Sequence, residues 1–143
     1  MFAPNQHDVR RFFCEAYGKQ RQGLPLTPME SIAAEWIDQH PEYHGDLGDV
    51  QAALDAQYTV EGGKTNPFLH LAMHLTIEEQ MSIDQPRGIK QAIELLAARR
   101  GSMHDAQHEV MECLGEMVWA SQRSGLPPDG LGYLECVRQR ATR

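Results

Sequence analysis

The sequence is short of positive charge. It has 13 Lys and Arg residues against 20 Asp and Glu residues, which gives a formal net charge of −7. A protein that binds the phosphates of a nucleic acid or of an anionic membrane needs a basic patch. The basic residues at the end of the chain, Arg138, Arg140 and Arg143, are instead typical of the last turn of a helix. We therefore expect no nucleic-acid partner and no membrane partner.

Long hydrophobic runs are also missing. The longest stretch without a charged residue, 65–77, is too short and too polar to span a bilayer. The first 13 residues lack the apolar core of a signal peptide. Together these absences predict a cytoplasmic protein.

Cysteine is scarce, with only Cys14, Cys113 and Cys136 in the chain. Their number is odd and no two of them are close in sequence, so the simplest interpretation is three free thiols in a reducing compartment. Cys113 falls on the apolar side of its predicted helix and is expected to be an inert core residue.

Several motifs with known chemistry are absent. The segment from Gly62 to Thr65 lacks the earlier glycine and the preceding strand of a phosphate-binding loop. The His-Glu-x-x-His motif of metalloproteases and the paired Glu-x-x-His motifs of di-iron bundles are missing too. No catalytic residue can be assigned on this basis, and whether the protein is an enzyme stays open.

Helical periodicity is what the sequence does contain, and no segment shows convincing β alternation. The length of 143 residues suits one domain. We therefore predict an all-α, single-domain helical bundle of about five to seven helices over residues 1–143. The predicted helices cover 6–20, 28–40, 67–83, a segment ending at Arg100, 103–124 and 130–140, with a further short helix at 46–54 in the poorly readable segment 43–64.

Residues typical of helix ends support several of these boundaries. Thr27 is followed by proline and, three residues on, by Glu30, which predicts a capping box. Asn66 and Ser102 stand where caps are expected, and Gly101 and Gly125 follow predicted last turns. In the first helix the apolar residues form one stripe and the charged ones, Arg10 among them, lie mostly elsewhere.

Six of the seven histidines form three pairs with four-residue spacing: His40 and His44, His70 and His74, and His104 and His108. On a helix this spacing places both rings on one face, with Cβ atoms about 6 Å apart. Two such imidazoles can bind one divalent metal ion, or they can form hydrogen bonds inside a bundle.

The pair in the 67–83 helix is the best candidate. His70, His74 and Glu78 form a stripe between two groups of apolar residues, so they point toward the core. Burying three polar side chains costs several kcal/mol unless each finds a partner. We therefore predict a metal site centred on these three residues, unless they line a wet cavity or join a polar network.

The other pairs rank lower. His104 and His108 lie at the edge of an apolar arc, so we take them as second-tier ligands. His40 shares the apolar face of its helix, whereas His44 follows Pro41 and need not share that face, so this pair is third. A site shared by several helices would be rich in nitrogen, and zinc, iron, manganese or nickel could occupy it. Metal-assisted hydrolysis or redox chemistry would follow if a coordination position were open.

A structural histidine network is the alternative. Paired histidines can cap neighbouring helices or bond to carboxylates across an interface without any metal. In that case the protein is a non-enzymatic interaction or scaffold module, which uses exposed residues such as Trp119 or Tyr133 against an unknown protein partner or a second copy of itself.

Several longer segments carry a family resemblance. They are Asn66-Pro67-Phe68-Leu69-His70, His74-Leu75, Ile77-Glu78-Glu79-Gln80, Asp84-Gln85-Pro86 with Gly88-Ile89, His40-Pro41-Glu42-Tyr43-His44, Glu112-Cys113-Leu114-Gly115-Glu116 and Pro127-Pro128-Asp129. This pattern resembles that of a family of small bacterial proteins catalogued as domain of unknown function 1841. The resemblance spans nearly the whole chain, but it implies no activity, cofactor or catalytic residue. The metal hypothesis therefore depends on helical geometry alone.

Overall fold

The computed structural model describes residues 5–58 and 65–143. Within these residues the structure consists of helices and connecting turns, without strands, which confirms the predicted all-α fold. The α-helices are α1 (Gln6–Arg21), α2 (Pro28–Asp38), α3 (His44–Leu47), α4 (Val50–Asp55), α5 (Pro67–Ile83), α6 (Ile89–Arg100), α7 (Met103–Ser124) and α8 (Gly130–Ala141), and a 3₁₀ turn, Pro41–Tyr43, precedes α3. The segment that was hard to read contains α3 and α4, while Gly62 to Lys64 lie outside the described residues.

The predicted caps form as the sequence indicates. Thr27 Oγ1 accepts a hydrogen bond from the Glu30 N–H, and the Glu30 carboxylate accepts one from the Thr27 N–H, which completes the capping box of α2. Asn66 Oδ1 accepts from the first amides of α5, and Ser102 Oγ accepts from the Asp105 N–H in α7. Helix starts are therefore specified locally.

Two glycines end helices in the left-handed region. Gly101 (φ 74°) follows α6 and Gly125 (φ 73°) follows α7, where a side chain would be strained. The end of α2 differs slightly from the prediction, since the helix stops at Asp38 and His40 has left the helical conformation (φ −128°). Pro41 disfavours helical geometry in the residue before it, which explains the early end.

The chain divides into two compact units, Met1–Leu75 and Thr76–Arg143, with the boundary inside α5. In the first unit α1 packs against α2 and α4. Its core contains Phe13 of α1 and Ile37 of α2, both completely buried. Phe68 and Leu71, at the start of α5, are buried in the same core. The prediction of a single domain stays a prediction.

Arg10 is a buried cation of the first unit. Arg10 is 6% exposed, and its Nη1 donates to the carbonyl oxygens of Ala53 and Ala56, each at 2.7 Å. The guanidinium also lies over the rings of Tyr58 and Phe68. Arg10 thus satisfies carbonyls at the end of α4, a role in the interior that its charge did not predict.

In the second unit α6, α7 and α8 pack against one another. Their buried side chains are mainly aliphatic and include Ile89, Ile93, Leu96, Val110 and Val137. The start of α6 depends on Asp84, whose Oδ1 accepts from the N–H groups of Gly88 and Lys90. These two hydrogen bonds hold the pKa of the Asp84 carboxyl below its usual value.

The prediction of three free thiols is wrong for two of them. Cys113 in α7 and Cys136 in α8 form a disulfide, with Cα atoms 5.9 Å apart, and Cys14 is the free, buried cysteine. The two bonded cysteines are 23 residues apart in sequence. Such a spacing carries no recognisable motif, and only the packing of α7 on α8 brings the two sulfurs together.

Candidate metal centre

His40 is held at the end of α2 with a defined ring orientation. Its side chain is 2% exposed, and its Nδ1 lies 2.7 Å from the carbonyl oxygen of Trp36. Because a carbonyl oxygen only accepts, Nδ1 must carry the hydrogen of this bond. The neutral ring therefore keeps its lone pair on Nε2, the atom through which it can bind a metal or accept a hydrogen bond.

His70 and His74 bring two further imidazoles to His40 from α5. The Nε2 atoms of His70 and His40 are 3.2 Å apart. A ring nitrogen of His74 lies within 4.8 Å of one of His40, close enough for both to hold a metal ion. The three ring centroids are 4.8 to 5.0 Å from one another. We call His40, His70 and His74 the histidine triad.

Aromatic rings enclose the histidine triad. The ring of Trp36 stacks on that of His74 with centroids 3.7 Å apart, and Tyr43 stacks on His40 at 5.2 Å. His74 is completely buried, whereas His70 is partly exposed. Burial, together with the nearby Glu42 and Asp46 carboxylates, raises the pKa of Tyr43 above its usual value. Two rings of the triad, those of His40 and His74, are thus buried, and His70 is its partly exposed member.

His44 contacts residues other than the histidine triad. Its Nε2 donates to the carbonyl oxygen of Ile37 at 3.0 Å, and its ring lies against Tyr17. Pro41 separates His44 from the face that His40 occupies, so the four-residue spacing does not place the two rings side by side. Of the third predicted pair, His40 is the member that joins other histidines in the first unit.

The predicted carboxylate ligand, Glu78, lies in the second unit. One of its carboxylate oxygens accepts from Nε2 of Gln107 at 3.0 Å, and Gln107 is completely buried. The hydrogen bond uses part of the capacity of the carboxylate, which has lone pairs left on both oxygens. Glu78 therefore stays a predicted ligand.

His104 and His108 stand together in the first turns of α7. Their ring centroids are 4.4 Å apart, and the ring nitrogens that they offer lie within 4.8 Å of each other. The i, i+4 spacing is thus realised as predicted. This second pair is therefore close enough to count as a candidate for metal binding.

The two residues predicted for partner binding differ in exposure. Trp119 is 59% exposed, and the guanidinium of Arg123 lies 4.7 Å from its ring centroid. Tyr133, by contrast, is buried at 2% exposure and donates its hydroxyl hydrogen to Gln80 Oε1 at 2.6 Å. The prediction that Tyr133 is exposed is therefore wrong, because it points into the core between α8 and neighbouring helices.

The described part of the chain is all-helical and holds histidines in close groups. The chain belongs to the family described as Domain of unknown function (DUF1841), whose model matches residues 5–139. The resemblance seen in the sequence is thereby confirmed. No curated protein and no solved structure matches the chain. Among the described helices, none combines the length and the apolar character that crossing a bilayer requires.

Proposed function

We propose that this protein binds a divalent metal ion through the histidine triad. The observation that carries the proposal is the 3.2 Å separation of the His40 and His70 Nε2 atoms. Two nitrogens bound tetrahedrally to zinc at 2.0–2.1 Å lie about 3.3 Å apart. The two imidazoles therefore already have the spacing that one ion would impose.

The environment of His40 supports the same conclusion. Histidine ligands in metal sites commonly donate their second ring N–H to a carbonyl or carboxylate, which fixes the tautomer and makes the ligating nitrogen more basic. The bond from Nδ1 to the Trp36 carbonyl is of this kind. Stacking of Trp36 on His74 restrains the orientation of that ring as well.

Three neutral imidazoles suit zinc, iron or nickel, and manganese when a carboxylate joins them. Glu78, His104 and His108 stay proposed metal ligands of the second unit on the strength of their sequence pattern, and His44 stays the weakest candidate of the first. Three protein ligands would leave a coordination position for water or substrate, which is the arrangement of catalytic rather than structural zinc sites. Hydrolytic or redox chemistry is the reaction class to assay once metal is bound.

Metal content and thermal stability test the proposal together. Protein made without a histidine tag is expected to carry close to one equivalent of metal by plasma mass spectrometry. After removal of metal, added Zn²⁺ should raise the melting temperature, because a ligand that binds only the folded state stabilises it. The His70→Gln variant should lose both the metal and the shift; the position is partly exposed, so we expect it to accept another polar side chain.

His7→Gln is the matched control, because His7 is an exposed histidine of α1. It should keep the metal and the melting shift. A His104→Gln/His108→Gln variant reports separately on the pair in the second unit. The triad is excluded as a metal site if metal-free protein binds none of Zn²⁺, Fe²⁺, Mn²⁺ and Ni²⁺. It is also excluded if the wild type and His70→Gln bind metal equally.

A structural histidine network is the second candidate, because 3.2 Å is also the length of an N–H···N hydrogen bond. His70 would then donate from Nε2 to the lone pair on His40. In this case His70→Gln lowers the melting temperature without any metal being present, and Trp119 becomes the first residue to test for partner binding.

The cytoplasm is the location that we propose. The lack of long apolar segments supports this location. In the cytoplasm, reductants would be able to open the Cys113–Cys136 bond. Fractionation of cells, with the redox state of the two cysteines trapped by alkylation, tests both points at once.

A further inference from the structure

A cavity of about 300 Å³ lies beside the disulfide in the second unit. Its walls come from the second half of α7, the connector after it and the start of α8. Both bonded cysteines line it, together with Glu116, Ser121 and Asp129. The volume is at the lower end of the range of small-molecule sites, so a compact ligand could enter and reach the sulfur atoms.

The two bonded cysteines differ in exposure. Cys113 is 1% exposed, whereas Cys136 is partly exposed. Thiol–disulfide exchange requires that a thiolate reach one sulfur along a clear path. Cys136 Sγ is therefore the atom open to attack, and Cys113 is the sulfur that leaves.

The charge at the cavity is negative. The Oε2 atom of Glu116 is 4.0 Å from Cys136 Sγ, and Asp129 contributes a second carboxylate to the wall. Among the lining residues that the structure describes, none is Lys, Arg or His. An incoming thiolate that carries a further negative charge is repelled, and one that carries a compensating ammonium group is not.

We propose that the Cys113–Cys136 disulfide is an exchange site for small thiols of neutral or positive charge, with Glu116 setting that preference. The thiolate of the incoming molecule forms a bond to Cys136 Sγ as the S–S bond breaks. Cys113 leaves as a thiolate and takes a proton from water. A second molecule of the same thiol then releases Cys136 and is itself oxidised to the small disulfide, so two thiols supply the two electrons.

Three small thiols of different charge test the proposal: cysteamine, 2-mercaptoethanol and 2-mercaptoethanesulfonate. Intact mass after quenching by alkylation follows the mixed disulfide and the reduced protein. Each rate is divided by the thiolate concentration and by the rate of the same thiol on 2-hydroxyethyl disulfide, an uncharged reference, which removes differences in intrinsic nucleophilicity. At low salt, cysteamine should react at least about fivefold faster than the sulfonate, since the two differ by two unit charges and each charge about 7 Å from Glu116 in water changes a rate by roughly two- to threefold.

Glu116→Gln should accelerate the sulfonate more than cysteamine and so narrow the ratio. Glu135→Gln is the matched control. Glu135 is exposed like Glu116 and carries the same charge, but it does not line the cavity. Equal normalised rates for the three thiols, or equal effects of the two variants, would overturn the assignment. So would folded protein in which all three thiols leave the disulfide intact. None of these readouts depends on metal, so the result is independent of the triad.

Discussion

Glu30 illustrates at the scale of a single residue how a cap and an ion pair act on the same carboxylate. It is 5% exposed, and it accepts hydrogen bonds from the Thr27 N–H and from Lys19 Nζ, each at 2.9 Å. The bond from the Thr27 N–H, followed by that from Lys19, holds the pKa of this carboxyl below its ordinary value of 4.5. The charged form is therefore favoured by folding.

A lowered pKa in the folded state contributes stability that is fully present above the ordinary pKa and is lost as the pH falls through the folded value. We expect Glu30→Gln to lower the melting temperature at neutral pH and the difference from wild type to shrink below pH 4.5. Melting curves by circular dichroism across this range measure it. Glu35→Gln, an exposed change in the same helix, should have little effect at any pH, and a Glu30→Gln deficit that persists undiminished at pH 3 would contradict the explanation.

Single residues also show where sequence reasoning succeeds and where it fails. The spacing of His70 and His74 correctly indicated two neighbouring rings, because helical geometry depends only on the local chain. The approach of His40 to His70 depends on how the start of α5 packs into the core of the first unit, which no spacing encodes. Arg10 and Tyr133 were misjudged for a similar reason, since their buried partners are distant in sequence.

Individual helices were the most predictable level of this structure. Caps, prolines and glycines act within a few residues, so the limits of α1, α5, α7 and α8 follow from the sequence to within one or two residues. α3 and α4 were predicted less well because helices of four and six residues show too little periodicity to recognise. Their ends depend on tertiary contacts such as that of Arg10.

Two leucines of α5 provide a test of which face of this helix is packed. Leu71 is completely buried, whereas Leu69 is 59% exposed. Leu71→Ala should lower the free energy of unfolding by about 2–5 kcal/mol, because it removes buried methyl groups and leaves a cavity. Leu69→Ala should change it by less than about 0.5 kcal/mol. Denaturant titrations of both variants decide the point, and similar losses would mean that the assigned face is wrong.

The molecule as a whole is acidic, and this property was readable from composition alone. Neither the net charge nor the helical class depends on tertiary contacts, whereas the disulfide and the histidine triad do. The division into two compact units also went unpredicted, because a continuous helical pattern across α5 gives no sign of a boundary near Leu75.

The charge leads to an expectation for binding to nucleic acids. A net charge of −7 opposes the release of counterions that drives association with a phosphate backbone. We expect the protein to pass through a DNA column at low salt without retention, while a basic protein of similar size is retained. Retention that weakens as salt is raised would show that the basic residues near the end of the chain form a phosphate-binding surface.

The bond between Cys113 and Cys136 has one more consequence, for the covalent integrity of the chain. It encloses the connector between α7 and α8, where Leu126, Pro127 and Pro128 are exposed. Exposed connectors are common sites of proteolytic nicking, here at Gly125 or Asp129, which are small or polar, rather than at the prolines. A single cut there would leave the two pieces joined through sulfur, so the nicked protein would migrate as one band on a gel until a reductant separated it into two.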